Sequence, residues 1–152
     1  MITIKPYSDK YKDALIDIFK SNMPLYFADN ELPLFIEFLD RDKHRPYDVI
    51  LKDEVPVACG GIGVNEANEF TKEKHVIMCW GMVDYKHHKE GYGSILLKHR
   101  IEIAKEIYPG IKIALGTSQY TYPFFEKFGF KTVAYKKDHW GPGLDLYQME
   151  LI

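Results

Sequence analysis

Residues 83–97 read Val-Asp-Tyr-Lys-His-His-Lys-Glu-Gly-Tyr-Gly-Ser-Ile-Leu-Leu, a basic, glycine-punctuated turn between an apolar run and an amphipathic pattern. The apolar run, residues 76–83, has the continuous hydrophobic character of a buried strand. After the turn, Tyr92, Ile95, Leu96, His99 and Ile103 recur at helical spacing, so the turn delivers the chain to a helix N-terminus. The first N–H groups of a helix lack partners within it, and its dipole is positive at that end, which favours an anion. Gly91 and Gly93 have no Cβ, which permits positive φ and close approach of a ligand to the main chain. The stretch therefore predicts a pocket for a phosphate-bearing ligand.

Two common phosphate loops are excluded by spacing. A Walker loop needs Gly-x-x-x-x-Gly-Lys-Ser/Thr, whereas Ser94 follows Gly93 with no lysine between them. A Rossmann fingerprint needs a third glycine or alanine where Leu96 stands, and its strand normally opens the domain. Strand-to-helix turns also use glycine for steric reasons alone, so Gly-x-Gly does not by itself name the guest. ATP or a dinucleotide stays open as an alternative.

The hexapeptide His88-Lys89-Glu90-Gly91-Tyr92-Gly93, entered from an apolar strand ending in Val83, resembles motif A of the GCN5-related N-acetyltransferases. That motif reads Arg/Gln-x-x-Gly-x-Gly/Ala at the start of a helix, and His88 departs from it at the first position. A second stretch, Phe124-Phe125-Glu126-Lys127-Phe128-Gly129-Phe130, is similar to the family's late Tyr-Glu-Lys-x-Gly-Phe motif, with Phe125 where the tyrosine is usual. Two ordered motifs carry more weight than one, and the resemblance covers most of the chain.

The resemblance implies acetyl-CoA as cosubstrate, no metal, and direct attack of a primary amine on the thioester. It implies that His88, Lys89, Glu90, Gly91, Tyr92, Gly93 and Ser94 bind the pyrophosphate, that Met82 and Val83 pair with the pantetheine amides in the manner of an added strand, and that Phe125 lies near the sulfur. Gly81 would mark a bulge turning those groups outward, or simply allow close packing. Tyr122, one helical turn before Phe125, is the candidate proton donor, with Tyr120 behind it. The stretch before the loop offers no carboxylate, so His75, Glu31 or solvent is left as proton acceptor. For the acceptor, the family analogy points to Tyr26, Phe27 and Glu31 in the loop between the first two helices, and to Trp140 in the late strand connection. Tyr26 and Phe27 could equally cover the core, and Trp80 reads as core. A non-catalytic acyl-CoA-binding module of the same fold is the competing reading.

The chain has 152 residues and a formal net charge of −2, which suits one domain and argues against a general nucleic-acid binder. The N-terminus lacks a basic region followed by an apolar segment, and no run is long enough to cross a bilayer. A cytoplasmic protein that binds neither membrane nor nucleic acid is expected, with a small-molecule or peptide amine as partner and a homodimer as a further expectation from the family. Cys59 and Cys79 sit in apolar runs without redox or zinc spacing and are assigned to the core. The six histidines form no metal-binding pattern.

Residues 2–5 read as a first strand, and Tyr11, Leu15, Ile18 and Phe19 line a first helix. Leu34, Phe35, Phe38 and Leu39 line a second. Strands follow at 48–51, 55–64 and 76–83, then the helix to about Ile107, a strand at 111–115, a short helix at 121–128 and strands at 130–135 and 144–151, joined by a connection at 138–143. The expected fold is α/β, a mixed, mostly antiparallel sheet flanked by helices in the order β-α-α-β-β-β-α-β-α-β-β, which resembles the acetyltransferase fold.

Overall fold

The computed structural model describes residues 1–41 and 46–151. Strand β1 spans Ile2–Pro6, helices α1 and α2 span Lys12–Ser21 and Leu32–Arg41, and strands β2, β3 and β4 span Tyr47–Lys52, Val55–Asn65 and His75–Val83. Helix α3 spans Tyr92–Ile107, β5 Lys112–Thr117, α4 Tyr122–Glu126, β6 Phe130–Gly141 and β7 Leu144–Leu151. The order of elements is the expected one.

Three local expectations are corrected. Helix α4 covers five residues rather than eight, because Gly129, with φ of 95°, turns the chain straight into β6. Strand β6 runs on to Gly141, so most of the stretch read as a connection is strand, and Pro142 and Gly143 alone join it to β7. Polar bonds there do what apolar alternation would have signalled: Tyr135 Oη and Asp138 N donate to Asp145 (2.8 and 2.9 Å), and Gly143 N donates to Asp138 Oδ1 (2.8 Å). On α3 the buried stripe is Tyr92, Leu96, Leu97, Arg100 and Ala104, rotated from the expected one. His99 falls on its flank, its Nε2 2.8 Å from Asp48 Oδ2.

The seven strands form one sheet in the order β1-β2-β3-β4-β5-β7-β6. Every neighbouring pair is antiparallel except β4 and β5, which are parallel and pair only through His75↔Lys112, Val76↔Ile113 and Ile77↔Ala114. Beyond Ile77 the two strands part. At the joined end Lys112 Nζ reaches Glu73 (3.2 Å) and Glu150 (2.8 Å), tying the approach to β4 to β5 and β7.

Helices cover both faces. Leu15, Phe19, Phe35 and Leu39 from α1 and α2 bury one face against Val49, Leu51, Cys59 and Met82. Leu97 and Ala104 from α3 cover the other against Ile62, Val76, Met78 and Ile113, with Tyr122, Phe124 and Phe125 of α4 beside them. Phe19 anchors the first layer, stacked on Phe27 and Phe35 with centroids at 4.5 and 5.3 Å. Burying such a ring is worth roughly 2–3 kcal/mol.

Candidate active site in the gap between the parting strands

A strand that loses its neighbour exposes main-chain donors and acceptors, and β4 does so over its second half. The register with β3 pairs Cys59 with Met82 and Ala58 with Val83, and Asp84 N donates to Val57 O (2.8 Å). In an antiparallel ladder this alternation turns the main-chain groups of Met82 toward β3 and those of Val83 into the gap. Of the two expected main-chain partners, only Val83 faces outward. Its carbonyl already accepts from Asn22 Nδ2 (3.0 Å) and His88 Nε2 (2.9 Å).

The expected bulge is present: two steps along β3, from Cys59 to Gly61, correspond to three along β4, from Met82 to Cys79. The positive φ of 41° belongs to Trp80 rather than Gly81. Tyr47 Oη donates to the Trp80 carbonyl (2.8 Å) and holds the bulge from β2. Trp80 itself is half-buried against Phe35 and Phe38, as expected of a core residue.

Past Val83 the chain makes a short helical turn at Tyr85–His87 and enters α3 with Gly91 as N-cap, at φ of 91°. No atom lies within 4 Å of where a Gly91 Cβ would stand, so the space over this residue is open. Lys89 also takes positive φ, at 69°, whereas Gly93 is helical and a Cβ there would meet the Phe124 ring at 3.4 Å. The glycines thus divide their work: Gly91 makes the turn, and Gly93 lets α4 close on the start of α3. The N–H groups of Tyr92, Gly93 and Ser94 lie in the first turn, where a helix has no internal acceptor for them. Nearby, Glu90 Oε2 sits 3.0 Å from His87 Nδ1.

On the far side of the gap, Phe125 packs edge-on against Phe130 (6.0 Å) and Phe124 (5.2 Å). Tyr122 lies flat on Tyr147, with centroids 4.4 Å apart and planes 10° apart. His75, at the opposite end of β4, is fully buried, with Nδ1 2.8 Å from Glu73 O and Nε2 without a partner among the described residues. Six residues of strand at roughly 3.3 Å each put it about 20 Å from Gly81, too far to act on a group bound at the bulge.

Aromatic residues from three loops meet over the gap. Tyr26 stands edge-on to His88 (5.4 Å), on the lip after β4, and to Tyr120 (6.2 Å), on the lip after β5, with Tyr85 at 6.4 Å. Trp140 reaches across from β6 to donate from Nε1 to Thr117 O (3.1 Å). Phe27 is stacked on Phe19 and covers the core. Glu31 is buried, and its Oε2 accepts from Ala28 N (2.9 Å), so this carboxylate closes its own loop. Burial pushes the Glu31 carboxyl above its ordinary 4.5, against the opposing pull of that hydrogen bond.

Sequence reasoning missed Asn22, Tyr85, Phe124 and Arg100. Asn22 Nδ2 joins α1 to β4 by donating to both Ile18 O (2.9 Å) and Val83 O. Arg100 carried a usable signal, because Leu96, Leu97, Ile103 and Ala104 place it on an apolar stripe without an acid one turn away. Cys59 is core as expected: its Sγ lies 3.3 Å from Tyr47 Oη, whose proton goes to Trp80 O, and burial pushes its thiol up to about 12.

Residues 12–130 match the family model described as Acetyltransferase (GNAT) family. No curated protein matches the chain. Among solved structures it is similar to the ribosomal-protein-alanine N-acetyltransferase of Brucella melitensis, at 20% identity over 99% of each chain and a TM-score of 0.76. It is also similar to yncA of Salmonella typhimurium, solved with its cofactor acetyl-CoA, at 17% identity over 99% of this chain and 93% of that one, TM-score 0.75. Naa50 of Arabidopsis thaliana, in complex with the bisubstrate analogue CoA-Ac-MVNAL, aligns at 16% identity over 99% and 98%, TM-score 0.71.

Proposed function

The chain belongs to the GNAT acetyltransferase family, and from that premise we propose that it transfers an acetyl group from acetyl-CoA to a primary amine, with the gap between β4 and β5 as the cofactor slot. The observation that carries this reading is the unpaired half of β4 running directly into the open N-terminus of α3. An elongated ligand with amides at one end and a diphosphate at the other matches that order of groups. The open space over Gly91 and the free N–H groups of the first turn fit a diphosphate. Bound there, acetyl-CoA supplies an activated acyl group as a thioester.

The residues then divide the remaining work. Lys89 to Ser94 hold the diphosphate, chiefly through main-chain N–H groups and the helix dipole. Val83 offers its N–H to the amide arm, while Asn22 and His88 keep the Val83 carbonyl aligned. Phe124 and Phe125 line the arm from α4 and exclude water. Tyr26, Tyr120 and Trp140 present aromatic faces to the incoming amine, which favour a cation before it loses its proton. Glu31 shapes the loop that carries Tyr26 rather than contacting the amine. Tyr122 is the hydroxyl nearest the usual donor position in sequence, and it reaches the sulfur only by leaving its stack on Tyr147.

Correct placement of amine and thioester accounts for most of the rate, because no covalent enzyme intermediate is needed. A free thiol has a pKa of about 8.5, so departure of the thiolate near neutral pH costs only about 2 kcal/mol without a specific acid. The packed Phe125 ring and the absence of a carboxylate at the start of β4 favour a second reading, a non-catalytic acyl-CoA-binding module. Calorimetry with CoA followed by turnover on an amine panel separates the two. Transfer supports the enzyme, binding without transfer supports the module, and no binding at millimolar CoA sinks both.

A further inference from the structure

Arg100 is an arginine where a leucine would be expected. It lies on the sheet-facing side of α3, 5% exposed, among the apolar stripe residues Leu96, Leu97 and Ala104. Its guanidinium is pressed beneath Gly81: a Cβ at that glycine would stand 2.6 Å from both terminal nitrogens. Among the described residues the groups that act on it are Tyr47, Cys79 and Cys59, with no carboxylate, and its Nε has no hydrogen bond. A cation taken out of water without an anion is an expensive arrangement, and native proteins keep buried charges paired.

Gly81 is the point where β4 bulges and has already lost β5 as a neighbour. If the gap is the cofactor slot, the thioester end of the arm comes to rest at this bulge. We propose that Arg100 is the group that stabilises the negative charge developing on the CoA sulfur as it leaves. In the step, the amine nitrogen adds to the carbonyl carbon and loses a proton to water. The C–S bond then breaks, and its electron pair goes to sulfur. The thiolate departs against the guanidinium and later takes a proton from solvent. This assigns to a fixed charge the task that a hydroxyl at position 125 would perform by donating a proton.

The surroundings are consistent with a charge that stays on. Burial pushes the guanidinium down to about 10, while Tyr47 of β2, Cys79 of β4 and Cys59 of β3 act in the opposite direction. It therefore remains protonated at neutral pH. Gly60 on β3 would place a Cβ 3.2 Å from Gly81 Cα and Leu96, so the two glycines leave room for α3 to bring Arg100 this close.

The inference rests on the cofactor reading, and the test separates the two. The thiol of bound CoA is titrated by its ultraviolet absorbance, with ligand-free protein subtracted to remove Cys59 and Cys79. In the native protein the bound thiol should titrate at least about one pH unit below free CoA. Arg100→Met should return it to the free value, and Arg100→Lys, which keeps the charge, should hold it low. With an accepted amine, Arg100→Met should lower kcat about tenfold, as one pKa unit implies, with the KM for acetyl-CoA within about twofold. Ligand-free Arg100→Met should melt at the native temperature or above, since an unpaired buried charge has been removed. Identical titration of bound CoA in native and Arg100→Met proteins overturns the proposal and leaves the slot intact. A ligand-free Arg100→Met protein that unfolds well below the native temperature also overturns it, making Arg100 structural. Failure of native protein to bind CoA removes the slot and this proposal together.

Discussion

The two halves of the gap are built from different materials. The half toward α3 presents main chain: the Val83 edge, the turn at Gly91 and the N–H groups that open the helix. The half toward α1, α2 and the β6–β7 hairpin presents side chains, with Tyr26, Tyr120 and Trp140 arriving from separate segments. A surface made of main chain needs only the right backbone path, and few residue types are compelled. A surface made of converging side chains depends on every element that delivers them. The first kind leaves a short motif in the sequence, and the second leaves scattered aromatics.

The side-chain half is most vulnerable at its foundation. Phe19→Ala removes the ring on which Phe27 and Phe35 stack and should cost about 3–5 kcal/mol in a denaturant titration. Acceptor turnover should suffer well before CoA binding in protein that is still folded. The reverse dissociation is expected from Ser94→Glu, which puts a carboxylate in the first turn of α3. Such a charge helps the helix by about 0.3–1 kcal/mol, yet repels a diphosphate. Calorimetry should show CoA weakened about 100-fold, or roughly 2.7 kcal/mol, with melting unchanged or raised. Ser94 is a better probe than Gly91, whose φ of 91° would strain any side chain.

Trp140→Phe sharpens the contrast further. Loss of the bond to Thr117 O is worth about 1 kcal/mol, so the acceptor KM should rise roughly fivefold while the Kd for CoA stays put. Equal loss on both ligands would show that the two halves are not separable. The smallest effect concerns Glu31. Its folded carboxyl titrates above the unfolded value, so the ionised form is the one that folding disfavours. Its favourable contribution is complete below the ordinary pKa of 4.5 and fades as pH rises through the folded value. Glu31→Gln, neutral at every pH, should therefore gain on the native protein as pH climbs past that point. Parallel stability curves for the two proteins from pH 4 to 8 would show that burial of Glu31 does not shift its titration.

Much of the main-chain half was legible because a strand, a turn and a helix start are local objects with local signatures. The same is true of the order of elements. The bulge could be placed at Gly81 but not its strained residue, since the φ of Trp80 is set by Tyr47 holding a carbonyl from another strand. Ile95, His99 and Ile103 are also compatible with helical spacing, and only packing against β3 and β4 turns the stripe of α3 by one position to the face through Arg100. Helix periodicity treats an arginine as polar and therefore outward, so the residue that breaks the rule was the one passed over. Glu31 suits a proton acceptor or an amine contact from its sequence alone, since a cap on its own loop cannot be told from an exposed acid without the fold. The far end of β6 was missed because its hairpin is held by Asp138 and Asp145 rather than by alternating apolar residues.

The short parallel pairing of β4 with β5 has a mechanical meaning as well. Three residue pairs and the Lys112 bridge are the seam along which a sheet of four strands meets a sheet of three. Such a seam is a hinge with its pin at one end, and opening it needs little loss of hydrogen bonding. A ligand that bonds to Val83 on one side and lies against α4 on the other would act as a brace at the free end. Amide exchange should then slow in β5 and β7 as well as in β4, so that the two plates move as one while the brace is in place.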